Sequence, residues 1–202
     1  MNKLLLLINK PIGRDVFIDL LNFHELNIDI VGVVTRPRGD YWWGNDQIIE
    51  IAEKVDIPVF NHHKDVDVEF DIAFSVQYDY ILEQEFIDKG IIINLHAAEL
   101  PRYRGCNSTA HVIMNAKKDN YYYAGSTLHL IDKGIDTGKI IRVYRTSFDN
   151  ETTNRELYKR VTELSYRLYR SFRESLMDGI VVSCTSQSLK IDKDSPSYYY
   201  YR

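Results

Sequence analysis

The sequence predicts an α/β protein built on a mostly parallel, twisted sheet. Its opening has the order strand, helix, strand, over residues 3–9, 14–25 and 29–35. This order favours a parallel sheet with right-handed crossovers. The run over 90–93 has the continuous apolar character of a strand that is buried on both faces. Two later strand patterns, at 122–130 and 139–145, are joined by a short loop and predict an antiparallel β-loop-β unit.

The remaining segments complete this pattern. Helices are predicted at 48–55, 83–89, 108–116 and 153–177, with further strands at 57–60 and 71–76. The long last helix carries apolar residues along one face, which is typical of packing. Beyond it we expect a small hairpin at 180–185 and 188–191 and then a tyrosine-rich tail. The sequence therefore predicts a main domain over 1–178 and a short C-terminal hairpin and tail over 179–202.

The composition of the chain excludes several classes of binding partner. The 202 residues carry a net charge of -4, which disfavours duplex nucleic acid because phosphate binding needs a basic surface. No apolar stretch of the sequence reaches the roughly 20 residues of a membrane span. The early apolar run at 4–8 is too short for a secretory signal. From these two observations we expect no membrane partner. Cys106 and Cys184 lack metal-site spacing, so we expect a reducing, cytoplasmic compartment, no metal site and no required disulfide.

A polar triplet follows the buried run at 90–93. Asn94 and His96 are two residues apart, so on a strand they lie on one face. Open parallel sheets place ligands at the carboxyl ends of their strands, where these two residues fall. A carboxamide beside an imidazole can stabilise an oxyanion while a proton moves. The alternative is that loop backbone simply satisfies both side chains.

The loop between the two antiparallel strands contains the aspartates Asp132 and Asp136 and two glycines. Its spacing does not match a calcium-binding EF-hand loop. A carboxylate at the tip of this loop could instead approach His96. Asn94, His96 and the aspartate would then supply a group that polarises the reacting bond, a group that transfers the proton and a group that orients the histidine. The alternative is that both aspartates only shape the turn.

Two other regions carry polar or aromatic side chains. The loop around Tyr41 and Trp42 also contains arginines, and it suits either a stacked nucleotide or an apolar clasp. The first strand is followed by one glycine, Gly13, so the sequence lacks the usual phosphate-binding glycine loop there.

We expect the pair His62-His63 to lie on the surface, because adjacent histidines without a third ligand rarely bind metal.

Four motifs follow one another between about residues 71 and 146. They are Asn94-Leu95-His96, Leu100-Pro101-Arg102-Tyr103-Arg104-Gly105, Gly125-x-Thr127-x-His129 and Ile131-Asp132-x-Gly134-Ile135-Asp136-x-Gly138. Their order and spacing resemble the 10-formyltetrahydrofolate-dependent formyltransferase family. The resemblance implies a Rossmann-like formyltransferase fold, with 1–178 as the catalytic domain. It also implies three catalytic residues: Asn94 would donate to the oxyanion, His96 would move the proton, and Asp136 would orient His96.

The same resemblance implies the cofactor N10-formyltetrahydrofolate, which gives up its formyl group and leaves as tetrahydrofolate, and it implies no metal. The pterin would lie against the segment after the fourth strand and against the aspartate loop. The residues concerned are Gln77, Tyr78, Tyr80, Ile81, Leu82, Ile131, Asp132 and Gly134.

The resemblance leaves three classes of amine acceptor. Methionyl-tRNA formyltransferase is the least expected, because the chain is short and acidic. Phosphoribosylglycinamide formyltransferase fits the length, but the glycine-rich phosphate loop is missing. We expect a nucleotide-linked amino-dideoxy sugar for surface glycan biosynthesis, with dTDP-4-amino-4,6-dideoxyglucose as the first choice on resemblance alone. The substrate-binding residues would be Arg14, Tyr41, Trp42, Tyr103, Arg104 and Asn107.

A protein that binds folate or a sugar nucleotide without turnover is a further alternative. The presence of Asn94, His96 and Asp136 together argues against it, since a binding module does not need all three. The hexose, its amine position, the nucleotide and the oligomeric state, including a homodimer, stay open.

Overall fold

The structure is a computed structural model that describes residues 2–23, 28–36, 46–177 and 198–200. Strands and helices alternate through most of the chain, as the opening of the sequence predicts. The strands are β1 (Asn2–Ile8), β2 (Ile28–Val34), β3 (Val59–Phe60), β4 (Ile72–Val76), β5 (Ile91–His96), β6 (Tyr103–Gly105), β7 (Tyr123–Leu130), β8 (Ile140–Ser147) and β9 (Tyr198–Tyr200). The helices are α1 (Lys10–Asn22), α2 (Ile48–Lys54), α3 (Gln84–Ile87), α4 (Ser108–Asp119) and α5 (Asn154–Met177), with a 3-10 turn over His63–Asp65.

Within the described residues, the main sheet has the strand order β3-β2-β1-β4-β5-β7-β8. Strand β1 pairs in parallel with β2 and β4, and β2 pairs in parallel with β3. Strands β7 and β8 pair antiparallel, as the sequence predicts. The contacts divide the chain into a first unit, Met1–Asn94, and a second unit, Leu95–Arg202. The predicted α/β class with one antiparallel unit is confirmed.

The first unit is built around β1. Residues 4–8 are almost fully buried, and α1 covers them with Val16, Phe17 and Leu20. Helix α1 begins at Lys10, so the predicted start of this helix at Arg14 is wrong. Proline is tolerated in the first turn because the backbone N–H groups there have no partner within the helix.

The second unit packs α5 against β7 and β8. The apolar face predicted for this helix is confirmed, because Leu157, Val161 and Leu168 are buried. Helix α4 continues to Asp119, three residues beyond the predicted end. Its N-cap position is Asn107, but that side chain makes no capping bond.

The second unit also contains the tyrosine tail. Strand β9 pairs in parallel with β6, with Tyr198 beside Tyr103 and Tyr200 beside Gly105. The predicted hairpin over 180–191 lies outside the described residues, and the boundary at 178/179 stays a prediction. Within the described part of the chain, no helix combines the length and the apolar character that a membrane crossing requires.

Candidate active site

The site is built at the end of β5, where His96 is the last residue of the strand. Its Nε2 lies 2.9 Å from the main-chain oxygen of Tyr103. A carbonyl oxygen only accepts hydrogen bonds, so Nε2 must be the protonated nitrogen. Nδ1 is then the nitrogen that can accept a proton, and it lies 3.7 Å from Oδ2 of Asp136.

Asp136 reaches His96 from the loop between β7 and β8. Its Oδ2 accepts a 2.7 Å hydrogen bond from the backbone N–H of Gly105 on β6. The side chains of His96 and Asp136 are only 11% and 13% exposed, so solvent screens the pair weakly. The predicted approach of a loop carboxylate to His96 is therefore observed.

The loop itself is shaped by Asp132. Its Oδ1 accepts from the backbone N–H of Gly134 at 3.0 Å and from the hydroxyl of Thr137 at 2.6 Å. At Gly138 an added Cβ would lie 1.8 Å from the oxygen of Leu130, so only glycine lets the chain pass there. Asp132 therefore shapes the turn, whereas Asp136 faces His96.

A second histidine, His129, borders the same carboxylate, and sequence reasoning assigns it no role. Its Nε2 lies 3.6 Å from Oδ1 of Asp136, while Nδ1 lies 2.8 Å from the oxygen of Leu130. Burial, followed by the nearby His96, lowers the pKa of His129 to about 4, so this ring is neutral at neutral pH. Its place in the motif Gly125-x-Thr127-x-His129 is the signal that could have found it.

Hydroxyl groups hold the chain that leaves β5. Ser126 donates to the main-chain oxygen of His96 at 3.1 Å. Thr127 donates to the oxygen of Ala98 at 2.7 Å and accepts from the N–H of Leu100 at 3.0 Å. Because both hydroxyl residues are fully buried on β7, they fix the path of the chain around His96.

A cavity of about 240 Å³ opens beside Asp136 in the second unit. Its lining consists of Leu100, Pro101, Arg104, Asp136, Thr137, Gly138 and Ile140. Nε of Arg104 is buried and has no hydrogen-bond partner among the described residues, and the guanidinium lies 5.3 Å from the ring centre of Tyr199. A buried guanidinium N–H without a partner is costly, and an anionic ligand group would satisfy it.

The first unit holds the other predicted residues of the formyl-donor site. Asn94 is half-buried on β5, and strand alternation places it on the same face as His96. The segment after β4 begins at Gln77, whose Oε1 accepts from Nζ of Lys10 at 2.8 Å. Tyr80 and Ile81 are 38% and 69% exposed.

Two residues of that segment face inward. Leu82 is buried, and the hydroxyl of Tyr78 lies 3.0 Å from Nδ1 of His63. His63 is only 1% exposed, so the prediction that it lies on the surface is wrong. The physical reason is that its ring finds polar partners in a segment 15 to 20 residues later, which local sequence does not reveal.

The predicted substrate residues are dispersed. Arg14 lies on α1 of the first unit and pairs with Asp15 at 2.7 Å. In the second unit, Asn107 is exposed and Arg104 lines the cavity. Tyr41 and Trp42 lie outside the described residues.

Tyr103 lies in the core of the second unit. Its ring is 1% exposed and stacks on that of Tyr198 at 5.5 Å, within the apolar cluster of the second unit. The side chain therefore packs in the core, and the main-chain oxygen contacts His96, while the predicted substrate contact of Tyr103 stays a prediction. Among the described residues, no group of three or more histidine, cysteine or acidic side chains could hold a metal ion.

Known proteins with similar sequences and structures bear on this site. The family model described as formyl transferase matches residues 61–172. The chain is 34% identical over 136 residues to the bifunctional polymyxin resistance protein ArnA of Wigglesworthia glossinidia brevipalpis, covering 65% of this chain and 19% of that protein. It is 31% identical over 169 residues to the methionyl-tRNA formyltransferase of Clostridioides difficile (strain 630), covering 76% of this chain and 53% of that protein.

A similar solved structure is that of the N-formyltransferase from Helicobacter canadensis in complex with folinic acid and dTDP-3-aminofucose. It matches with a TM-score of 0.78 at 25% identity, covering 100% of this chain and 71% of that one. The predicted formyltransferase fold is confirmed by this match. The chain spans only 19% and 53% of the length of the two curated relatives. Since the family model covers more than half of the chain and includes all four motifs, the chain belongs to the formyl transferase family.

Proposed function

We propose that this chain transfers a formyl group from N10-formyltetrahydrofolate to the amine of a nucleotide-linked amino-dideoxy sugar. The observation that supports this most is the Asp136 carboxylate, which lies 3.7 Å from Nδ1 of His96 at the carboxyl end of β5. Location in the cytoplasm, a role in surface glycan synthesis and a homodimeric assembly belong to the same proposal.

In this mechanism the acceptor amine attacks the formyl carbon and the bond from that carbon to N10 breaks. The amine loses a proton and N10 gains one. His96 receives the proton at Nδ1, because Nε2–H is engaged with Tyr103, and later returns it to the leaving nitrogen. Asp136 stabilises the imidazolium formed in between, and Asn94 donates to the oxyanion on the same face of β5.

The segment after β4 fits the pterin of the formyl donor. Ile81 is 69% exposed and Tyr80 is 38% exposed, which leaves apolar surface for a flat ring to cover. The pterin edge needs hydrogen-bond partners, and the backbone groups of this segment would supply them.

The amino-sugar acceptor is supported by the second unit. Arg104 places an unsatisfied, buried Nε at a cavity that Asp136 also lines, which suits an anionic substrate with an amine to be formylated. The similar Helicobacter canadensis structure contains a dTDP-linked amino sugar. We keep dTDP-4-amino-4,6-dideoxyglucose as the first acceptor to test and place the 3-amino isomer beside it.

Methionyl-tRNA is the second candidate, because the Clostridioides difficile relative is 31% identical. The net charge of -4 weighs against it, since tRNA binding relies on many lysine and arginine contacts to phosphates.

The test is a formyl-transfer assay with N10-formyltetrahydrofolate and four acceptors: the two dTDP-linked amino sugars, glycinamide ribonucleotide and charged methionyl-tRNA. Formylation of an amino sugar alone supports the proposal. Formylation of glycinamide ribonucleotide or of methionyl-tRNA alone refutes the acceptor class. Binding of folinic acid without any turnover identifies a binding protein instead.

A further inference from the structure

The 3-10 turn after β3 places a buried histidine against the segment proposed to bind the formyl donor. We name residues 77–83 the donor segment. Nδ1 of His63 lies 3.0 Å from the hydroxyl of Tyr78, and Nε2 lies 2.5 Å from Oε2 of Glu83. The backbone N–H of His63 also donates to the Tyr78 hydroxyl at 3.0 Å. One side chain thus contacts both ends of the donor segment.

A neutral His63 ring satisfies every contact of this network. The Tyr78 oxygen accepts from the backbone N–H of His63, so its own proton is available to Nδ1. Nε2 then carries the ring proton and donates to Glu83, whose other oxygen lies 2.6 Å from Nζ of Lys64. Burial lowers the pKa of His63, and hydrogen bonds from His63 and Lys64 lower the pKa of Glu83 to about 2, which agrees with a neutral ring and a carboxylate.

Packing around the ring supports the same arrangement. The His63 ring meets that of Phe86 edge to face at 5.1 Å, and the neighbouring His62 ring lies 4.4 Å from that of Tyr80. Between the two anchored ends, Tyr80 and Ile81 are the residues that remain exposed.

We propose that His63 is a positioning residue, which ties Tyr78 and Glu83 together and so holds Tyr80 and Ile81 in the conformation that receives the formyl donor. This inference rests on the proposed function. A segment fixed before binding loses less conformational entropy when the ligand arrives. Removing the hydrogen bonds of His63 to Tyr78 and Glu83 should therefore weaken the binding of the formyl donor and leave the binding of the acceptor unchanged.

The test compares two substitutions of His63. The variant His63→Leu fills the space but leaves Tyr78 and Glu83 without their partner, and we expect it to raise the KM for the formyl donor by about ten- to hundredfold. The KM for the acceptor and kcat should stay within about threefold. His63→Gln can accept from Tyr78 and donate to Glu83, so it should restore most of the donor affinity. Glu69→Gln is the control in the same unit, because Glu69 is 92% exposed and contacts only Lys3 among the contacts described.

Binding of folinic acid, measured by calorimetry, separates the possible failures. If the wild-type protein neither binds folinic acid nor formylates any acceptor, the proposed function is refuted and this inference falls with it. If the wild-type protein binds and a folded His63→Leu variant binds equally well, only the inference is refuted. If His63→Leu does not fold, Tyr78→Phe decides, because it deletes one hydroxyl and keeps the ring: weaker binding supports the tie and unchanged binding overturns it.

Discussion

The charge of Asp136 is the feature of the site that a single substitution tests best. In Asp136→Asn the side-chain oxygen can still accept from the backbone N–H of Gly105, so the loop should keep its place. What disappears is the attraction between the carboxylate and the imidazolium that forms when His96 takes a proton. At 3.7 Å and an effective dielectric constant of about 20, that attraction is about 4 kcal/mol.

This energy corresponds to a ratio between the rates of the wild-type protein and the variant. At about 1.4 kcal/mol for each factor of ten, the loss predicts a fall in kcat/KM of roughly 10³. Mutations of a positioned acid or base span about 10² to 10⁴, so the prediction lies within the usual range. The assay is steady-state formyl transfer to the acceptor identified by the panel, with the midpoint of urea unfolding measured on the same sample.

A matched control comes from Asp149, another loop aspartate of the second unit. Asp149 accepts from the hydroxyl of Thr152 at 2.7 Å and from the N–H of Glu151 at 3.1 Å, so it shapes a turn. We expect Asp149→Asn to lower stability slightly and to change kcat/KM by less than about threefold. If folded Asp136→Asn keeps more than about a tenth of the wild-type rate, the carboxylate charge does not assist His96 and the mechanism is wrong.

Three further predictions concern the same unit. The pKa of His129 is about 4 in the folded chain, whereas an unperturbed histidine, as in the unfolded chain, has a pKa of 6.5. Between these pH values the unfolded chain binds more protons than the folded chain, so the free energy of unfolding falls as the pH drops from 6.5 to about 4. By urea unfolding, wild type should lose up to about 3 kcal/mol more than His129→Gln between these pH values, and parallel pH profiles would contradict this. Gly105 has a φ of +87, and an added Cβ there would lie 2.0 Å from the main-chain oxygen of Tyr200. Gly105→Ala should therefore destabilise the chain by about 2 kcal/mol or more. An unchanged midpoint of urea unfolding would refute the close packing of β9 on β6. Arg104→Met should raise the KM of the sugar nucleotide about tenfold without lowering the thermal midpoint, and equal effects on both KM values would exclude a selective role in acceptor binding.

Much of the fold could be predicted because its signals are local. Buried parallel strands appear as uninterrupted apolar runs, and the long helix α5 appears as an apolar face at helical spacing. The loop between β7 and β8 was recognisable from its glycines and aspartates. The spacing of Asn94 and His96 likewise predicted a shared face, because alternation along a strand is a property of the backbone.

Contacts between distant residues decided the rest. Asp136 meets the N–H of Gly105 from 31 residues away, and the same carboxylate also borders His129. The tail strand pairs with β6 across more than 90 residues, which stacks the ring of Tyr198 on the buried ring of Tyr103.

Sequence by itself determined the family, the α/β class and the catalytic candidates, because these follow from residue order and from the period of apolar side chains. Tertiary structure alone decided which histidine is buried, as at His63, and that His129 also borders the carboxylate of Asp136. The physical reason is that burial and side-chain pairing depend on segments that are distant in the chain, and no local pattern records which of them will meet.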